Sequence, residues 1–384
     1  MNSQWPLVRL GDLLSSSKYA ADILPDEEYK EVTVRLWGKG VNLRGVKLGS
    51  EIGTGKRFYV SPGQFILSKI DARHGAFGVI PEELDGAVIT SDFPLFEADP
   101  KRLDVEYLNW LSKTPWFVDA CKKVSEGTTN RVRLKEKQFL GIEIRLPELA
   151  EQRQIVKKIE SIRTQVNEVT SLRKGVLTEA QALLQSAFQN LIDDVQYLPM
   201  SQVLPIIRRK VSVNFDGEYP ELGVRSFGKG TFHKPALNGV DVGSKKLYHI
   251  EPNDLVLSNV FAWEGAIAVA QPTDTGRVGS HRFITCVPEE GVVTSDFICF
   301  YLLTQEGIEK VREASPGGAG RNRTLGLKKL EKIEVPIPDF GKQLWFNQLQ
   351  QKVADIKQAQ LSNAVELEAL MPSILDKAFR GELV

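Results

Sequence analysis

The chain has 384 residues, 42% of them apolar, with 49 Lys and Arg set against 49 Asp and Glu. That length predicts two or three domains at roughly 150 residues each, with enough apolar content for true cores. Balanced charge excludes a uniformly basic domain, so any nucleic-acid contact has to come from local patches.

In chain order, the first unit opens with Tyr29–Gly40, a stretch that ends in the glycine-flexed turn Arg35-Leu36-Trp37-Gly38-Lys39-Gly40. Short β-rich segments follow at Arg57–Val60, Phe65–Ile70, Phe77–Ile80 and Ala87–Ile89, separated by Pro-Gly, His-Gly and Asp-Gly punctuation. A helical stretch is predicted over Val105–Val124 and a short apolar strand over Ile142–Pro147. From Ile155 the apolar positions Ile155, Ile159, Ile162, Val166, Val169, Leu172, Val176, Ala180, Leu183 and Ala187 recur at heptad spacing, which predicts one long helix ending near Asp193.

The layout then repeats at an offset of about 190 residues. Tyr219–Gly230 lies over Tyr29–Gly40, matching at Tyr219, Val224, Arg225, Gly228, Lys229 and Gly230. Strands are predicted at Leu247–Ile250, Leu255–Asn259, Ala266–Ala270 and Phe283–Val287, a helix over Ser295–Ala314 and a closing strand over Ile333–Pro338. One inserted residue near Asn322 shifts the register, after which Gln152/Gln343 and Ala187-Phe188/Ala378-Phe379 still align. A second seam runs Leu349, Val353, Ile356, Gln360, Asn363, Leu367, Leu370, Ile374, with polar Gln360 and Asn363 inside it and Pro372 expected to kink or restart the helix.

Four segments result: a globular unit over 1–147, a long helix over 148–195, a second globular unit over 196–338 and a second long helix over 339–384. The class is α/β, or α+β, with parallel pairing left open. Each helix of about 40 residues is about 60 Å long at ~1.5 Å per residue. Neither holds in water with an apolar stripe uncovered, so mutual burial is expected. A pseudo-twofold relation between the copies makes the pair antiparallel, a rigid spacer with one globular unit at each end.

Motifs for catalysis are lacking. Gly53-Thr54-Gly55-Lys56 fails as a phosphate loop, because Ser50 and Arg57 occupy positions that require Gly and Ser/Thr. No Asn/Asp-Pro-Pro-aromatic string, serine elbow or His-Glu-x-x-His occurs. Cys121, Cys286 and Cys299 have no CxxC spacing and the four histidines are scattered, so no metal or other cofactor is expected; the thiols read as buried apolar groups in a reducing cytosol. No apolar run approaches ~18–20 residues, so a cytoplasmic protein without a membrane partner is expected.

Cations that recur in both copies are more informative. Arg35 and Lys39 pair with Arg225 and Lys229 in glycine-rich turns that let backbone approach phosphates. Arg131 and Arg133 pair with Arg321 and Arg323, each set following a glycine-bearing stretch. Shared positions fit shared work such as phosphate contact. Matched positions that differ, Lys69/Asn259, Asp71/Phe261, Arg73/Trp263 and Asp92/Arg282, fit residues that read different bases.

With these elements in hand, the chain resembles the specificity subunit of type I restriction–modification systems. Leu146-Pro147-Glu148-Leu149-Ala150-Glu151-Gln152-Arg153-Gln154-Ile155-Val156 is similar to that family's first helix motif, and Ile374–Leu383 to its closing one. The second copy departs at Pro338–Leu344, where Pro338 and Gln343 survive. The resemblance implies two target recognition domains that bind a bipartite, asymmetric site on double-stranded DNA. It further implies two methylation subunits carrying S-adenosylmethionine, restriction subunits that join them, and no catalytic residue in this chain. The alternative is an interaction scaffold that binds proteins through its coiled coil and does not touch DNA.

Overall fold

A computed structural model of the chain describes residues 5–126, 133–317 and 323–383. It divides into two compact units, 1–173 with 360–384 and 174–359, so each unit holds half of each long helix.

In unit 1 a five-stranded sheet is ordered Tyr19–Ala21, Arg57–Tyr59, Val88–Thr90, Glu28–Val34, Val41–Leu48. All neighbours are antiparallel except Glu28–Val34 beside Val88–Thr90, where Glu31 faces Val88 in parallel. A four-stranded antiparallel sheet, Leu14–Ser17, Leu95–Ala98, Phe65–Leu67, Phe77–Val79, packs Phe65, Phe77 and Phe96 against Phe117 and Phe139. Unit 2 repeats the first sheet as Arg209–Lys210, Leu247–His249, Val278–Ser280, Glu218–Val224, Thr231–Asn238, again with one parallel pairing, Glu221 with Val278. Its second sheet keeps Ile267–Val269, Leu255–Ser258 and Phe283–Cys286. The pairing left open by the sequence is therefore antiparallel with a single parallel neighbour in each unit.

The helical stretches divide in two. Val105–Ser112 and Pro115–Lys123 are separate helices because Thr114 caps the second through the Phe117 amide and Pro115 occupies its first turn. Ser295–Leu303 and Gln305–Glu313 break in the same place without a proline: Thr304 caps through the Gly307 amide. A Cβ on Gly307 would lie 2.1 Å from the Tyr301 carbonyl oxygen, so the close turn requires glycine there.

The long helices run Leu149–Ile192 and Phe340–Phe379. In unit 1 Ile155 and Ile159 share a core with Leu375, Ala378 and Phe379, while the Arg173 guanidinium donates to the Gln360 carbonyl. Partners that run 155 with 375 and 173 with 360 are antiparallel. In unit 2 Phe188 packs 5.5 Å from Phe346.

Two expectations change. Burial along the seam is not continuous: Val169, Leu172 and Leu370 in unit 1, and Val176, Leu183 and Ile356 in unit 2, are exposed. Burial concentrates at the helix ends, where Ile155, Ile159, Leu375, Ala378 and Phe379 pack into the unit 1 core and Phe188, Ile192 and Phe346 into the unit 2 core. Asn363 is exposed and Gln360 half-buried, which places them in this wet stretch. The second helix also continues through Pro372 rather than restarting, with Met371 and Leu375 on either side packed into the unit 1 core.

The thiols of Cys121 and Cys286 are buried and that of Cys299 is partly covered; burial pushes all three up to about 12. No group of His, Cys, Asp and Glu suited to a metal ion occurs among the described residues. No helix among them is long and apolar enough to cross a membrane.

Candidate nucleic-acid interface

The turn 35–40 joins strands Glu28–Val34 and Val41–Leu48, closed by the Arg35 amide donating to the Gly40 carbonyl at 2.9 Å. In unit 2 the Arg225 amide donates to Gly230 at 3.0 Å. Gly38 and Gly40, like Gly228 and Gly230, take φ between 62° and 79°, a region open to glycine at little cost. Arg35, Lys39, Arg225 and Lys229 are all exposed on these turns. Arg225 also donates to the Thr231 carbonyl at 3.1 Å and lies 5.0 Å from the Phe232 ring centroid.

A second turn docks onto the first. The Trp37 and Gly38 amides donate to the His74 and Gly75 carbonyls at 2.8 and 2.9 Å; the Phe227 and Gly228 amides donate to Glu264 and Gly265 at 2.9 and 2.8 Å. These bonds bring residues 69–75, and 259–265 in unit 2, against the cationic turns. A third segment joins through Lys69 N–H to Asp92 carbonyl at 2.9 Å, matched by Asn259 to Arg282 at 2.7 Å. A fourth joins through Leu134 N–H to the Lys69 carbonyl at 2.8 Å, matched by Leu325 to Asn259 at 2.9 Å. Candidates dispersed over a hundred positions of sequence thus converge on one surface in each unit.

On this common backbone frame the side chains diverge. Lys69 donates to the Ser91 carbonyl at 2.8 Å and pairs with Glu136 at 3.0 Å. Burial alone would raise the Glu136 carboxyl, but the ammonium groups of Lys69 and Lys18 outweigh it and hold the group below the usual range. Lys69 is therefore tied into the protein more than its sequence position suggested. Arg133 pairs with Asp92 at 2.9 Å. Where unit 1 has Arg73, unit 2 has Trp263, whose indole N–H donates to the Val260 carbonyl at 2.9 Å and whose ring carries the Arg323 guanidinium at 5.3 Å. Arg73 Nε and the Asn259 amide oxygen are buried without a hydrogen-bond partner, which leaves polar capacity unmet on this surface. Arg282 is exposed and borders a cleft of about 530 Å³ with Lys234, Lys245, Phe261, His281 and Phe283. Arg131 and Arg321 lie outside the described residues.

Sequence reasoning passed over Trp37 and Phe227, which stand at the matched centres of the two turns. Both have positive φ, 62° and 63°, and both are exposed, by 70% and 73%. Such a backbone costs a bulky side chain about 1–3 kcal/mol. The available signal was an aromatic before Gly-Lys-Gly in each copy; a change from Trp to Phe hid it from a search for identities.

Residues 2–177 match the family model described as the type I restriction modification DNA specificity domain. That stretch, just under half of the chain, is similar to a type I specificity domain. The HsdS subunit from Thermoanaerobacter tengcongensis is 22% identical, with 99% of this chain and 97% of that one covered at a TM-score of 0.66. A chain from a structure titled for complex assembly and conformational transition of the type I R-M system is 21% identical, with 100% and 99% covered at 0.69. At these identities the likeness shows the fold, and it extends over both units. Among curated protein sequences none matches. The specificity domain matched by the family model includes the turn 35–40, residues 69–75 and Arg133, so the unit 1 surface lies within it.

Proposed function

We propose that the chain is the DNA-reading specificity subunit of a type I restriction–modification complex. Each unit binds one half of a bipartite, asymmetric double-stranded site, and the long helices set the gap between halves. The chain recruits two methylation subunits, which bring S-adenosylmethionine, and restriction subunits join them in the cytoplasm. It contributes recognition, not catalysis, and needs no cofactor of its own.

One observation carries this reading. The same four segments meet through the same backbone hydrogen bonds in both units, while the side chains they present differ at Lys69/Asn259, Asp71/Phe261, Arg73/Trp263 and Asp92/Arg282. A shared frame suits phosphate contact, which carries no sequence information, and variable side chains suit base edges, which do. Arg35, Lys39, Arg225 and Lys229 are the phosphate candidates; Arg133 and Arg323 sit beside the readers and complement the backbone's charge.

The test is to exchange residues 196–338 for those of a homologue of different specificity and sequence the host methylome. One half of the methylated motif should change and the other stay. A change in both halves, or in neither, overturns the reading.

A further inference from the structure

We infer that Trp37 and Phe227 are DNA-contacting aromatic probes, each carried on a hairpin apex so that its ring stacks against bases of one half-site. The inference rests on the proposed role in DNA reading.

The folded chain gains little from either ring. Four non-glycine residues have positive φ among the described residues, and two of them, Asp194 and Asn253, are of types that tolerate it. Trp37 and Phe227 are the bulky exceptions, and both leave most of their surface in water. Their amides hold the apex to the neighbouring turn, but a glycine would donate the same bonds without the strain. Nor does a common internal contact explain them. Trp37 lies 5.7 Å from the His74 ring, whereas unit 2 has Glu264 at that place and Phe227 has Lys229 at 5.7 Å instead. The aromatic persists while its internal neighbour changes, so the contact that selects it lies outside the chain.

Charge chooses the occupant. Arg35 and Lys39 flank Trp37, Arg225 and Lys229 flank Phe227, and all four are exposed. An aromatic ring among cations on a rigid loop fits a polyanion whose bases offer π faces, through stacking or partial insertion at a base step. Phe227 also borders a cleft of about 600 Å³ with Phe300, Leu303 and Gln185, so contact with a partner protein is the alternative outcome.

The full chain, assembled with its methylation subunits, is compared with Trp37→Gly and Phe227→Gly. The probe is a duplex carrying the motif methylated in the source genome, with 2-aminopurine placed at each base in turn. Each variant should melt at the wild-type temperature or above it, because glycine relieves the strained φ. Each should bind the duplex about tenfold more weakly. Wild type should brighten 2-aminopurine at one step per half-site, and each variant should lose that signal in its own half alone. Wild-type affinity and fluorescence in both variants would overturn the inference and leave the specificity reading standing. Loss of the methylation subunits on gel filtration, with wild-type base fluorescence in what remains assembled, would make the rings protein contacts and also overturn it. Failure of the wild-type complex to bind the duplex would remove the specificity reading itself.

Discussion

Gln152 and Gln343 hold the same three hydrogen bonds in their respective units. Gln152 is fully buried; its amide nitrogen donates to the Arg102 and Pro147 carbonyls at 2.8 and 2.9 Å, and its oxygen accepts from the Asp104 amide at 2.9 Å. Gln343 donates to Val292 and Pro338, both at 2.9 Å, and accepts from Thr294 at 3.0 Å. Asp104 and Thr294 are the caps of helices Val105–Ser112 and Ser295–Leu303. Each glutamine thus locks the start of a long helix to the start of a helix in the domain core.

Replacing either glutamine with leucine leaves one backbone donor and two acceptors buried without partners. At about 1–3 kcal/mol for an unmet buried group, with partial relaxation, each variant should lose about 2–4 kcal/mol. Urea unfolding followed by circular dichroism would measure it. A loss below ~0.5 kcal/mol would mean that the bonds do not matter to the fold.

The cations of the turns and the variable positions behind them should separate in salt titrations. Arg35→Ala or Lys39→Ala should weaken binding of all duplexes alike and reduce the slope of log Kd against log salt by about 1. Arg282→Ala or Asn259→Ala should instead relax preference at bases of one half-site. Competition binding with single-base variants of the motif separates the two behaviours; a uniform loss for Arg282→Ala would reassign it to the phosphates.

Much of this was legible in the sequence for physical reasons. Glycine at positive φ and a buried glutamine with three partners tolerate few substitutes, so Gly38/Gly228 and Gln152/Gln343 kept the register of the repeat visible. The heptad seam marked both long helices. It said nothing about how much of each stripe is covered, because exposed Leu172 and buried Ile159 look alike in a pattern of apolar letters. Convergence of residues 35–40, 69–75, 92 and 133 was not legible either. It depends on backbone amides and carbonyls, which every residue carries and no motif records. Lys69 looked free for the same reason: its partner Glu136 is far away in the chain.

Acid should act on unit 2 through Asp274. This carboxylate is buried; it accepts from the Gln271 amide at 2.9 Å and from Thr231 Oγ1 at 2.9 Å, and lies 2.9 Å from His233 Nε2. Burial alone would raise it, but these donors prevail and hold the group below the usual carboxylate range. A carboxyl lowered by folding stabilises the fold fully above its unfolded pKa, about 3.9, and loses that contribution as pH falls through the lower folded value. Asp274→Asn should therefore be less stable than wild type at pH 7, with a difference that shrinks below about pH 4. Melting temperatures from pH 7 down to pH 3 would show it, and a pH-independent difference would exclude the ionised form as the source.

The pair Arg133–Asp92 separates folding from reading most sharply. Its side chains are 55% and 36% exposed, and exposed pairs contribute about 0–1 kcal/mol, so neither Asp92→Ala nor Arg133→Ala should unfold the chain. Their effects on DNA should be opposite. Arg133→Ala removes a cation beside the proposed base-reading positions and should weaken binding. Asp92→Ala removes the carboxylate that holds Arg133 in place and repels phosphate, so it should strengthen binding to unrelated duplexes and narrow the margin for the correct motif. The matched residue Arg282 places a cation on the same backbone position in unit 2, with Arg323 resting on Trp263 instead of on a carboxylate. Asp92→Arg should accordingly bind unrelated DNA more tightly still, since it sets two cations together where unit 1 has a neutral pair. Titration of matched and unrelated duplexes at two salt concentrations would test this order, and a weaker nonspecific affinity for Asp92→Ala would overturn it.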